Sequence, residues 1–123
     1  MRLLVIIQFL LLLSACDGCW TPIPVVSCGG SYGEDWPSIA FYQKLETIGH
    51  TDSKQRWEDA VACGATYGDN TLLSAITDKN TGNITDKLIY SFDNCMERKG
   101  YHQLTHNECG TQDPGENTGK CNL

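Results

Sequence analysis

Basic residues are scarce in this chain: 9 Lys and Arg face 15 Asp and Glu, for a formal net charge of −6. Nucleic-acid binding draws on Lys and Arg to neutralise phosphates. The balance therefore argues against a nucleic-acid partner, and equally against an electrostatic grip on anionic lipid. Long apolar runs are also missing. The longest, Leu3–Leu13, has eleven residues and contains Gln8, well short of the ~20 that a spanning helix needs. The glycine-rich run Cys28-Gly29-Gly30-Ser31-Tyr32-Gly33 lacks the Lys-Ser/Thr pair of a phosphate loop and reads as a turn. No serine is assigned the part of a nucleophile.

The short apolar run carries information of its own. Arg2 supplies a positive start, Leu3–Leu13 an apolar core, and small residues then precede a cysteine, the order of a secretory signal. Leu13-Ser14-Ala15-Cys16 resembles the lipobox of bacterial lipoproteins, an aliphatic residue and two small ones before cysteine. The resemblance implies that a diacylglycerol is joined to the Cys16 sulfur, that the chain is cut between Ala15 and Cys16, and that the new amine is acylated. Residues 1–15 are then a signal peptide, 16–34 a lipidated tether and 35–123 a folded domain. Cleavage would leave 108 residues with 8 basic and 15 acidic side chains, a net charge of −7. The expected first partner is the lipid bilayer, reached through acylated Cys16, where each buried methylene contributes about 0.8 kcal/mol. Asp17 resembles the inner-membrane retention signal of Gram-negative lipoproteins. That implies the periplasmic face of the inner membrane, although Gly18 is not among the strongest supporters of that signal.

Seven cysteines are an odd number for an exported protein. With Cys16 consumed as a thioether, six remain: Cys19, Cys28, Cys63, Cys95, Cys109 and Cys121. An oxidising envelope compartment favours pairing them as disulfides. The expected pairs are Cys63 with Cys95, Cys109 with Cys121, and Cys19 with Cys28, although six cysteines allow other connectivities. A redox reading of Cys16-Asp17-Gly18-Cys19 fails with the same lipidation, because an alkylated sulfur cannot exchange.

Residues 17–36 hold Pro22, Pro24 and several glycines without helical or strand period and read as the tether. Beyond them the pattern is helical. Asp35 caps a first helix, with Pro37 in its opening turn, Phe41, Leu45 and Ile48 at helical spacing, and Gly49 at its end. Asp52 with Gln55 makes a variant capping box for a second helix. Trp57, Ala60, Val61 and Gly64 form its apolar stripe, and Arg56, Glu58 and Asp59 point away. Leu72, Leu73, Ala75 and Ile76 give a short third helix, and Asp78–Gly82 a loop. A fourth helix is capped by Asn83 and striped by Ile84, Leu88, Phe92, Cys95 and Met96. Arg98 and Lys99 occupy its last turn and Gly100 stops it, bringing Tyr101 against Met96. After Tyr101 the period is lost, and residues 110–120 read as a polar loop closed by Cys109 and Cys121. The expected fold class is therefore all-α: three to four short helices stapled by disulfides behind a lipid anchor. Cys63-Gly64 in one helix, and Cys95-Met96 ahead of Gly100-Tyr101, resemble small cysteine-containing bacterial lipoproteins. That resemblance implies no particular activity.

Candidate chemistry is thin. His102 and His106 are four apart, but Gly100 has ended the helix that would align them, so no metal site is expected; His50 reads as a lone surface residue. The even cysteine count leaves no thiol for a Cys–His nucleophile. Glu34, Asp35, Glu58, Asp59, Asp69 and Asp86 fall at caps or on solvated faces. No catalytic residue and no cofactor is expected. The reading is a non-enzymatic binding module with an envelope protein partner: neutralising a toxin or cell-wall hydrolase, excluding a mobile element, or holding an envelope complex. Trp20, Trp36 and Trp57 are aromatic anchors that an interface could use, Trp57 being also a core candidate. The alternatives are a small envelope hydrolase using a carboxylate pair and a structural lipoprotein.

Overall fold

Thr85 starts the longest helix, its hydroxyl accepting the Leu88 backbone N–H at 3.3 Å, and the computed structural model describes residues 33–123 around that helix. In chain order the elements are α1 (Ser53–Ala62), α2 (Leu73–Ile76), α3 (Asp86–Arg98) and α4 (His106–Cys109). Strands β1 (Tyr42–Lys44) and β2 (Tyr101–Gln103) complete the fold, with 3-10 turns at Ser38–Phe41 and Leu45–Thr47. The all-α expectation is thus overturned. The fold is mixed, with four short helices and a two-stranded antiparallel sheet in which Tyr42 faces Gln103 and Lys44 faces Tyr101.

The helix expected from Asp35 to Gly49 does not form. Asp35 makes an isolated antiparallel bridge with Thr111, and Leu45 is left 66% exposed. Backbone pairing accounts for the difference. Phe41 closes the 3-10 turn, Tyr42 opens β1, and both are buried, so consecutive side chains have neighbours on two sides, which one helix face cannot supply. Tyr42 enters a core with Ile39, Ala60, Leu72, Phe92 and Met96. Phe41 enters a smaller one with Leu104, Cys109 and Cys121, against which Trp36 packs. The Leu104 N–H donates to the Phe41 carbonyl at 2.8 Å and prolongs the strand pairing. The buried Gln43 donates to the Ala40 carbonyl and accepts the Gly49 N–H, so its amide is satisfied on both sides.

In α1 the cap is Asp52, whose carboxylate accepts the Gln55 N–H at 3.0 Å. The buried face differs from the expected one. Arg56 is fully buried with Ala60, whereas Val61 is 43% exposed. Arg56 points inward because it serves backbone: Nη1 donates to the Tyr42 carbonyl at 3.3 Å and Nη2 to the Asn122 carbonyl at 2.8 Å. Burial pulls its guanidinium down from the ordinary value.

The start of α3 is also shifted. Asn83 is not the cap, because Ile84 bridges Thr77 before the helix begins and stays 55% exposed. Of the expected stripe, Phe92 and Met96 are buried in the core and Leu88 is half-buried. Gly100 follows at φ +92°, and Tyr101 and Met96 lie in the same core. Disulfides join Cys63 at the end of α1 to Cys95 in α3, and Cys109 at the end of α4 to Cys121. Cys19 and Cys28 lie outside the described residues, as do Cys16 and the signal.

The stretch after Tyr101 is more ordered than its composition predicts. It carries β2 and α4, the latter with a full capping box between Thr105 and Glu108. Its tail is bound into the fold. The Asn122 side chain accepts the Thr51 N–H and donates to the Thr51 carbonyl. Gly49, at φ +78°, leaves room for the Gly119 carbonyl, which any Cβ there would meet.

Candidate functional site

One face of α3 and the pair β1–β2 enclose an open cleft of about 270 Å³. Helical spacing places Ile89, Phe92 and Asp93 together, since residues three and four apart share a face. Tyr42 comes from β1, Leu72 from the turn before α2, and Leu104 and His106 from the segment following β2. Leu72 is buried with φ at +59°, the one non-glycine left-handed residue among the described residues. Such a conformation costs about 1 kcal/mol or more. The loop before α2 holds it in place: the Leu72 N–H donates to the Asp69 carbonyl at 3.0 Å. Asp69 Oδ2 accepts the Ser74 N–H at 2.8 Å, and Oδ1 accepts the Thr71 hydroxyl at 2.6 Å. Those bonds hold the Asp69 carboxyl down at about 2.

On the cleft wall the Tyr42 hydroxyl donates to Asp93 Oδ1 at 2.5 Å. Burial first, and then the hydrogen bond to the Asp93 carboxylate and its charge, push the Tyr42 phenol well above its ordinary value, so it remains a donor. The Tyr42 ring meets Phe92 edge-on at 5.5 Å, and Phe41 meets His106 edge-on at 4.6 Å. Among the described residues nothing donates to the second oxygen of Asp93. The site is a recess of mixed lining, with Ser38, Thr71, Gln103 and His106 beside the apolar side chains, and with one oriented carboxylate able to pair with a donor or cation.

A second polar cluster has a structural part. Tyr101 donates to Asp59 Oδ2 at 2.8 Å, Lys99 pairs with Asp59 Oδ1 at 3.5 Å, and the Lys44 ammonium sits 5.1 Å from the centre of the Tyr101 ring. Partial burial pushes the Asp59 carboxyl up, but the bonds from Tyr101 and Gln55 and the charge of Lys99 outweigh it, and the net displacement is downward.

The carboxylates singled out in the sequence are not brought together. Asp59 faces Tyr101, Asp69 holds the turn before α2, Asp86 lies in the first turn of α3, Asp35 bridges Thr111, and Glu34 and Glu58 are exposed. His102 pairs across from Gln43 on β2, whereas His106 begins α4; His50 is exposed. Among the described residues no three His, Cys, Asp or Glu side chains converge on a point that could hold a metal ion. Trp36 packs against the smaller core with its indole N–H buried and unpartnered among the described residues. Trp57 is half-buried and meets Tyr67 at 5.4 Å, and Trp20 lies outside the described residues.

The string Gly29-Gly30-Ser31-Tyr32-Gly33 does carry Gly-x-Ser-x-Gly spacing, a match that the turn reading passes over. A nucleophile elbow needs a helix directly after the serine. The described residues that follow, from Gly33, form no helix before a 3-10 turn beginning at Ser38.

Tyr42 and Asp93 are the site residues that sequence reasoning missed. An acid four residues from Ile89 and next to Phe92, at the margin of an apolar stripe, was the available signal. Among the described residues no helix is long and apolar enough to cross a membrane. No family model, curated protein or solved structure matches the chain.

Proposed function

We propose that this chain is an envelope lipoprotein, anchored through acylated Cys16 on the periplasmic face of the inner membrane, whose folded part works by binding a protein partner. The anchor rests on Leu13-Ser14-Ala15-Cys16, and the side of the membrane on Asp17. The observation that carries the binding reading is the cleft, in which Leu72, Ile76, Ile89, Phe92 and Leu104 share the wall with polar side chains and with one carboxylate oriented by Tyr42. Concave, mostly apolar recesses with a few placed polar groups are where proteins hold ligands and partner side chains. Neutralising a toxin or wall hydrolase, excluding a mobile element, and holding an envelope complex all fit such a module. A hydrolase would need two free carboxylates across a cleft; here Asp59 and Asp69 are each engaged in local bonds.

Mass spectrometry of the mature N-terminus tests the anchor: a diacylated or triacylated Cys16 is expected, and an intact Leu3–Leu13 segment sinks the idea. For the binding reading, full-length tagged protein is used to capture partners from envelope extract, alongside an Ile89→Glu variant, at a half-buried position of the cleft wall. Capture lost in the variant is expected. Peptidoglycan cleavage by the purified chain, abolished by a single Asp or Glu substitution, would replace binding with hydrolysis. Labelling of Ser31 by a fluorophosphonate would do the same in favour of a serine enzyme.

A further inference from the structure

We infer that the cleft takes the basic side chain, Lys or Arg, of its protein partner, with apolar neighbours of that residue covering the rim. The inference rests on the binding reading and names the chemistry of the occupant. Size comes first. At about 270 Å³ the open recess has room for one inserted side chain. Charge comes second. Asp93 is the one acidic residue on the wall, no Lys or Arg lines it, His106 on the rim packs against Phe41 and is not paired with Asp93, and the chain as a whole is acidic.

The desolvation of Asp93 decides between a basic and a purely apolar occupant. Tyr42 donates to Oδ1, and among the described residues no ion pair engages Asp93; the salt bridge they contain joins Lys99 to Asp59. Closing an apolar partner over the cleft would strip water from Oδ2 and leave a carboxylate unpaired, which is costly. A Lys or Arg brings the missing charge, and its methylenes lie along Ile89, Phe92 and Leu104. The Tyr42 and Phe92 rings add an environment that favours cations. Because Tyr42 fixes the carboxylate beforehand, little side-chain freedom remains to be lost on binding.

The test uses the full chain in detergent micelles, read by amide shifts of Phe92, Asp93 and Leu104. The probes are the capped tripeptides Leu-Lys-Phe and Leu-norleucine-Phe, with n-hexylammonium as a free amine. A charge-assisted hydrogen bond is worth enough to make the lysine peptide bind about tenfold tighter than its uncharged twin. In Asp93→Asn, where the Tyr42 bond can persist, the lysine peptide should fall to the level of the norleucine peptide. Equal binding of both peptides by the native chain overturns the inference and leaves the binding reading in place, and needs no variant. Hexylammonium binding as tightly as the lysine peptide also overturns it, in favour of a small amine. Shifts from none of the probes overturn it and remove the cleft from the binding reading as well.

Discussion

Asn122 pairs with Thr51 as a strand neighbour would: its Oδ1 accepts the Thr51 N–H at 3.1 Å and its Nδ2 donates to the Thr51 carbonyl at 2.9 Å. Seventy-one residues separate the two. Arg56 completes the clasp from below, bonding the Asn122 carbonyl on one side and that of Tyr42 on the other. The tail, β1 and α1 therefore share a single buried guanidinium, which has no carboxylate partner among the described residues.

That sharing makes Arg56 a centre of stability. Arg56→Ala removes packing and strips two carbonyls of their donor, and we expect a loss of about 3 kcal/mol. Arg56→Lys keeps a charge but cannot fork to both carbonyls, so about 1–2 kcal/mol is expected. Urea unfolding of the two variants measures both. A loss below ~0.5 kcal/mol for Arg56→Ala would show that the clasp is incidental.

Acid stability tests the turn before α2. The folded-state value of Asp69, about 2, lies below its ordinary 3.8. Its contribution is therefore complete above about pH 4 and is lost as pH falls toward 2. Thermal melts of the native chain and Asp69→Asn should differ most at pH 5–7 and converge near pH 2. A gap that stays constant across that window contradicts the assignment.

The two disulfides can be removed separately. In the loop-entropy view, the separations of 32 and 12 residues correspond to about 3.7 and 2.8 kcal/mol. Replacing either pair by Ala should thus be severe. Cys109 and Cys121 are both buried beside Phe41 and Leu104, so their removal opens a core and does more than loosen a tail. A cost under ~1 kcal/mol for the Cys109–Cys121 pair would contradict this.

Much of the helical frame was legible. α1 and α3 are ten and thirteen residues long, enough for the Asp52 cap to mark the first and the Phe92–Met96 spacing the second, although the buried face of α1 and the cap of α3 were misread. β1 and β2, at three residues each, are too short to display any period, and their pairing depends on contacts between residues 42–44 and 101–103. Arg56 was misplaced because its charge argues for the surface while its backbone partners, Tyr42 and Asn122, are remote in sequence. The cleft was hidden for the same reason: Tyr42 and Asp93 are 51 residues apart. The cysteine count, by contrast, needs no geometry to suggest disulfides.

The central claim is that the cleft is where this protein meets its partner, and photo-crosslinking in intact cells tests it most directly. Benzoylphenylalanine is placed at His106, on the rim, and separately at exposed Glu58, which lines no part of the cleft. The expected result is one discrete cross-linked envelope protein from position 106, absent from position 58 and lost when Asp93→Asn is added. Cross-links of equal yield from both positions, or a position-106 product indifferent to Asp93, would contradict the account.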